Sequence, residues 1–235
     1  MAHRRVLLKI SGEALSPKGA FGIDPTIVGD LAAQVKVAVD DGQLQLALVV
    51  GGGNFIRGQQ VAAQGMDRTS GDNMGMLATI MNALALQAAL EGAGVEARVQ
   101  SAIAVNDVAE PFMRRSCIRH LDHGRVVILA GGTGHPYFTT DTTAALRALE
   151  IGATLLLKAT KVRGVYSADP ESDPDAQFFE RLTFHEVLVK RLRVMDWAAI
   201  SLCMENKLPI AVFNMMEPGN LTRALGGEQL GTLVE

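Results

Sequence analysis

Cysteine is scarce in this sequence: two in 235 residues, Cys117 and Cys203, far apart along the chain. That excludes a disulfide scaffold and a cysteine-based zinc site, and it fits a reducing compartment. A basic surplus is also missing. The net charge of −3 at pH 7 argues against a bulk nucleic-acid binder, which needs a cationic face. No apolar run reaches the ~18 residues of a membrane span, because Arg, Gln, Gly or Asp interrupts each one. The opening MAHRRVLLKIS has basic residues but only a short apolar stretch, with Lys9 inside it and no cleavage pattern. It reads as a first strand and not as a signal peptide, so a cytoplasmic location is expected, with no membrane partner. Linkers, repeats and low-complexity tracts are absent. The polar stretch 168–177 reads as a surface excursion, so residues 1–235 are expected to form a single domain.

Hydrophobic residues make up 48 % of the chain, ample for a core. Short runs rich in Val, Ile, Leu and Ala recur at Val6–Ile10, Leu44–Val50, Val95–Gln100, Val126–Ala130, Thr154–Lys158 and Pro209–Phe213. Their lack of polar alternation marks strands buried on both faces. Helical spacing lies between them. Asp24-Pro25 predicts an N-cap and first turn, with Ile27, Val28, Leu31, Val35 and Val39 following and Asp41-Gly42 as the stop. Residues 72–91 predict a helix with Met76, Leu77, Ile80, Leu84 and Ala88 on one stripe. Further helices are expected over Asp141–Glu150, after the Thr183-x-x-Glu186 capping box, and over Asp196–Asn206. The βαβα order implies an α/β fold of three layers, a doubly wound, mostly parallel sheet with helices on both faces.

Glycine is plentiful, 24 residues, and clustered. Lys9-Ile10-Ser11-Gly12-Glu13 follows the first strand run, Gly51-Gly52-Gly53-Asn54 the second, and Gly131-Gly132-Thr133-Gly134-His135-Pro136 the run Val126–Ala130. In an open α/β sheet ligands bind beyond the carboxyl ends of the strands. Glycine turns there let backbone amides approach an anion closely. One such turn is an ordinary tight connection; three on one edge point to a phosphate site. The P-loop, dinucleotide, protein-kinase, zinc-protease and serine-elbow signatures are all missing. Lys9, near the end of a buried strand, is costly without an anion, although a lysine there can also snorkel. Arg57, expected on a first helical turn after the triple glycine, is either a surface arginine or a donor to a transferring phosphoryl group. Asp141 is either a plain N-cap or a carboxylate that orients Lys9 or a metal-bound phosphate.

Five blocks then stand in order: Lys9–Leu15; Gly51–Asn54 with Arg57-Gly58; Gly71-Asp72-Asn73-Met74-Gly75-Met76-Leu77-Ala78-Thr79; Gly132–Asp141; and Lys158–Tyr166 with Ala168-Asp169-Pro170. Together, from about Arg5 to Gly231-Thr232-Leu233, they resemble the bacterial uridylate (UMP) kinases of the amino acid kinase superfamily. The resemblance implies transfer of the ATP γ-phosphate to UMP with Mg²⁺, giving UDP and ADP in pyrimidine nucleotide synthesis. It implies that Lys9, Ile10, Ser11 and Gly12 meet the ATP phosphates, with Gly53 and Arg57 facing them, and that Thr160, Tyr166 and Asp169 meet the adenosine end. It assigns Gly52, Asp72 and Thr133, Gly134, His135, Pro136, Tyr137, Phe138, Thr139 and Thr140 to UMP. Lys9, Arg57 and Asp141 become the catalytic set, and no protein ligand to a metal is named. It also implies a homohexamer with GTP activation and UTP inhibition. His135 and Asn73 stand where the best-known relatives carry Asn and His, and the helix segment Asn82–Glu91 lacks the basic residues that some relatives use for GTP. A kinase of the same fold acting on acetylglutamate, aspartate or carbamate, and a nucleotide sensor without turnover, are the alternatives.

Overall fold

A computed structural model of the chain describes residues 4–17, 19–57, 63–170 and 172–235. Gly58 and Glu171, which belong to the blocks and the polar excursion named above, lie outside them. In chain order the elements are β1 (Arg4–Ile10), α1 (Pro25–Val39), β2 (Leu44–Val50), α2 (Arg68–Gly92), β3 (Ala97–Ser101), β4 (Glu110–Pro111), α3 (Arg114–Asp122), β5 (Val126–Ala130), α4 (Thr140–Ile151), β6 (Leu155–Thr160), β7 (Val165–Tyr166), β8 (Phe178–Phe179), β9 (Arg181–Leu182), α5 (Phe184–Val189), α6 (Trp197–Glu205), β10 (Ile210–Asn214), α7 (Asn220–Leu225) and β11 (Thr232–Val234). Nine strands form one sheet in the order β4-β3-β5-β2-β1-β6-β10-β11-β9. Every pairing is parallel except β10 with β11. The doubly wound expectation therefore holds. The strands that sequence reading missed, β4, β7, β8, β9 and β11, are two or three residues long, too short to carry a period.

Alternation along the central strands splits the core into two layers. Val6, Leu8 and Ile10 of β1 join Leu46, Leu48 and Val50 of β2 on the face covered by α1, α2 and α7. Leu7 of β1, Ala47 and Val49 of β2 and Leu156 of β6 pack on the other face, beneath α3, α4, α5 and α6. The period of two sends Lys9 to this second face with Leu7. The register sets Lys9 directly beside Lys158 of β6.

Two local expectations need correction. The buried stripe of α2 runs through Met76, Thr79, Ile80, Ala83, Leu86 and Leu90, while Leu77 is exposed and Ala88 faces outward. The apolar pattern of this helix is nearly all-round, so spacing alone could not choose the face. By length and composition α2 would also suffice to cross a membrane, but its buried stripe packs onto α1, β3 and β5. Finally, Thr139 and not Asp141 caps α4, accepting from the amides of Asp141 and Thr142.

Candidate active site

β5, β2, β1 and β6 are neighbours in the sheet, so the turns after β5, β2 and β1 meet on one edge. They enclose a cavity of about 480 Å³, lined among others by Lys9, Ser11, Gly12, Gly52, Arg57, Arg68, Asp72, Thr133, His135, Phe138, Thr139 and Thr140. The loops are tied to each other before any ligand arrives. Gly51 donates its amide to Ile10 O at 2.9 Å. Asn54 and Asn82 exchange amide hydrogen bonds at 2.9 and 2.7 Å, and Asn82 also donates to Gly51 O at 2.7 Å. Thr79 Oγ1 receives the Gly131 amide at 2.8 Å. The buried polar residues of α2 thus fasten the turns after β2 and β5.

Two glycines are demanded by this packing rather than by an anion alone. A Cβ at Gly12 would collide with the backbone of Gly51, its carbonyl carbon 2.8 Å away and its oxygen closer, and with Asn54 Oδ1 at 2.6 Å. A Cβ at Gly52 would lie 2.6 Å from Gly75 O and 2.9 Å from Ala78 Cβ. Backbone cannot yield as a side chain does. Gly12→Ala is therefore expected to cost about 1–3 kcal/mol of stability, the usual scale of overpacking. Thermal unfolding would measure it, and an unchanged Tm would show that the two turns part freely.

Lys9, Asp141 and Lys158 form a chain of charge. Lys9 Nζ lies 2.7 Å from Asp141 Oδ1, and Lys158 Nζ lies 2.7 Å from Asp141 Oδ2. All three side chains are at most 16 % exposed. Lys158 Nζ also donates to Val194 O at 2.6 Å. Burial alone would push the Asp141 carboxyl up, but Lys9 and Lys158 outweigh it and hold the group below the usual carboxylate range. Burial presses the Lys158 ammonium below the ordinary lysine value; Asp141 opposes that and Lys9 adds to it. Lys9 opens onto the large cavity, whereas Asp141 and Lys158 open onto an adjoining one of about 270 Å³. A third cavity, about 400 Å³, holds Tyr166 and Asp169 and shares Arg191, Leu192 and Arg193 with the second.

The remaining expected site residues are distributed as follows. The Ile10 side chain is fully buried in the core, so only its backbone reaches the turn. Phe55 and Ile56 return their amides to Gly52 O, closing a single turn, and Arg57 follows it in irregular backbone and not on a helical turn. Its guanidinium is paired with Glu13, which also meets Lys161 at 3.5 Å. Gly53 lines the large cavity, whereas Gly134, Pro136 and Tyr137 are not among its lining. Tyr137, at a left-handed φ of 71°, donates its amide to Asp72 Oδ2 at 2.9 Å. Thr160 Oγ1 donates to Val162 O at 2.7 Å and lines none of the three cavities.

The family model for the "amino acid kinase family" matches residues 4–214. The chain belongs to the amino acid kinase family. Two curated relatives, the uridylate kinases of Xanthomonas euvesicatoria pv. vesicatoria and Xanthomonas oryzae pv. oryzae, are each 56 % identical over 235 residues, covering 100 % of this chain and 98 % of the relative. Among solved structures, the UMP kinase of Bacillus anthracis aligns with a TM-score of 0.94 at 37 % identity, over 100 % of this chain and 97 % of that one. The UMP kinase of Ureaplasma parvum gives 0.94 at 38 % identity, covering 100 % of both chains.

In this amino acid kinase, the sequence reading passed over three residues that bond to the expected site residues. Lys158 is a second lysine late in a buried strand, the same signal that marked Lys9. Arg68 bonds Asp72 Oδ2 at 2.7 Å and stacks on the Tyr137 ring at 5.5 Å. Its spacing of four residues from Asp72 on one helix was the available clue. Asp196 accepts from the Thr142 amide at 3.1 Å and hydroxyl at 2.8 Å, from the Thr139 hydroxyl, and through its other oxygen from the Ala199 amide at 2.9 Å. It caps α6 and fastens the start of α4 at once, which nothing in its local sequence announced.

Proposed function

We infer that this chain is a uridylate kinase, moving the γ-phosphoryl group of ATP to UMP to give UDP and ADP. The observation that carries this is the Lys9–Asp141–Lys158 chain at the meeting of adjoining cavities. The uridylate kinases at 56 % identity over the full chain support the choice of acceptor. A phosphate oxygen of UMP attacks the γ-phosphorus, and the bond from that phosphorus to the β–γ bridging oxygen breaks. The nucleophile is already anionic near neutral pH, so the residues need only position and neutralise. Lys9 neutralises charge on the transferring group. Arg57 joins it by exchanging Glu13 for phosphate oxygens. Ser11, Gly12 and Gly53 face the donor phosphates with the Ile10 backbone, and Thr160, Tyr166 and Asp169 serve the adenosine end. Gly52, Asp72 and residues 133–140 hold UMP. Asp141 fixes both lysines.

Asp72 has one oxygen engaged by Arg68 and the Tyr137 amide, which leaves Oδ1 for a ribose hydroxyl. Asp72→Asn is therefore expected to raise the KM for UMP roughly tenfold, the worth of a charge-assisted hydrogen bond, with kcat nearly kept. Steady-state kinetics at saturating ATP would measure it; an unmoved KM rejects the role.

Mg²⁺ belongs to this reading as an ion brought by ATP. Among the described residues no three His, Cys, Asp or Glu side chains gather to cage a metal, and both Asp141 oxygens face lysines. The donor phosphates would supply its hard oxygen ligands. One domain is proposed, since both core layers rest on one sheet. A cytoplasmic homohexamer inhibited by UTP completes the reading; activation by GTP is left out of it, because Asn82–Glu91 carries no basic residue. The outward apolar residues Leu77 and Met81 of α2 support coverage by second copies of the chain, and light scattering should give six times the 25.0 kDa chain mass. The deciding assay incubates the protein with ATP and Mg²⁺ against UMP, CMP, dUMP, acetylglutamate and aspartate, following ADP. UMP-dependent ADP release is expected. Release with an amino acid acceptor overturns the reading, as does UMP binding without turnover.

A further inference from the structure

Between the phosphate-side and adenosine-side cavities runs a short basic segment, Lys190-Arg191-Leu192-Arg193-Val194. Leu192 and Val194 are 4 % and 2 % exposed and anchor it in the core. Arg191 and Arg193 alternate with them and are exposed. Both line the cavity of Asp141 and Lys158, and both line the cavity of Tyr166 and Asp169. Among the described residues neither guanidinium has a hydrogen-bond, ion-pair or ring partner. Val194 O receives Lys158 Nζ at 2.6 Å, which fixes the segment to the charge chain.

The backbone of Arg191 adds a cost. Its amide returns to Leu188 O at 3.2 Å and that of Leu192 to Val187 O at 3.0 Å, closing α5 with the left-handed C′ position at Arg191, φ 52°. Glycine is the residue this position favours. Lys207 ends α6 by the same pattern, with φ 53°, and lines none of the three cavities. Strain alone therefore marks no function; the location of Arg191 and Arg193 does.

We propose that Arg191 and Arg193 form a cationic strap that grips the phosphate chain of the donor nucleotide where it passes from the adenosine cavity to Lys158. This rests on the kinase reading above, and it adds to the glycine turns a second, side-chain hold on the donor from the α5–α6 side. Guanidinium groups suit it, because each presents a planar fork of donors to phosphate oxygens.

The sole tryptophan, Trp197, lines the middle cavity and is half exposed, so its fluorescence reports a phosphate chain bound there, while calorimetry reads adenosine and UMP, which bind in the other two cavities. The wild type, Arg191→Gly, the double variant Arg191→Gly/Arg193→Gln, and Lys207→Gly as control would each be titrated with ATP, ADP, adenosine and UMP. Arg191→Gly should lose affinity for ATP and ADP roughly tenfold, and the double variant more. Adenosine and UMP affinities should stay within twofold, and added salt should shrink the ATP difference. The Tm of Arg191→Gly should equal or exceed that of the wild type, since glycine relieves the left-handed position. Lys207→Gly should bind all four as the wild type does. Unchanged ATP and ADP affinities in the double variant overturn the strap, as does an equal loss for adenosine. Failure of the kinase reading looks different: the wild type itself then gives neither an ATP-dependent signal nor ADP.

Discussion

Lys9→Ala should lower kcat by about 10²–10³-fold or more, the cost of removing one preorganised charge from a transferring group. Lys9 stands where the large cavity meets the charge chain, with its ammonium held 2.7 Å from Asp141. Its charge is fixed in place before substrates arrive, so no reorganisation is needed at the moment of transfer. A ground-state anchor would behave differently: KM for one nucleotide would rise while kcat held. Kinetics at saturating ATP and UMP separate the two, and activity within threefold of the wild type would reject the role. Lys9→Arg should recover little, because the planar fork cannot occupy the compact space between Asp141 and the glycine turns as an ammonium does.

Asp141→Asn should damage both fold and reaction. The carboxylate separates two ammonium groups that sit side by side in register on adjacent strands. Removing its charge leaves both lysines buried and uncompensated, a loss of about 3–5 kcal/mol by analogy with other broken buried pairs. For a chain of this length that corresponds to a fall in Tm of roughly 6–20 °C. Asp141→Asn/Lys158→Met should recover much of the stability and none of the activity, which separates the two roles. The pH dependence has a definite sign. The folded pKa of Asp141 lies below its ordinary value, so its stabilisation is complete above the unfolded carboxylate value, about 4, and is lost as pH falls through the lower folded value. The wild type should therefore lose stability on the acid side of about pH 4, and Asp141→Asn should show a flatter acid limb. Equal acid limbs would mean that the three charges do not act together.

Much of this was legible in the linear chain. The six long strands announced themselves as apolar runs between turns, and β2 and β5 begin and end at the expected residues. The caps of α1 and α5 followed from Asp24 and from the Thr183–Glu186 box. Lys9 and the three glycine turns were identifiable because each breaks a pattern: a charge in a buried strand, a cluster where one glycine would do; Asp72 came only through the resemblance. Lys158 carried the same mark as Lys9 and went unread, since nothing local says which face a lysine takes.

The sequence by itself determined which segments become the six long strands, where α1, α5 and α6 start and which turns can take an anion, because these depend on periods and caps a few residues long. Tertiary structure decided the rest. Only the sheet order brings β5, β2, β1 and β6 together, only the register sets Lys9 beside Lys158, and only the packing of α4 and α6 sets Asp141 between them and Asp196 behind. The physical reason is range: a charge pairs across space with groups far away in sequence, and no local pattern records its partner.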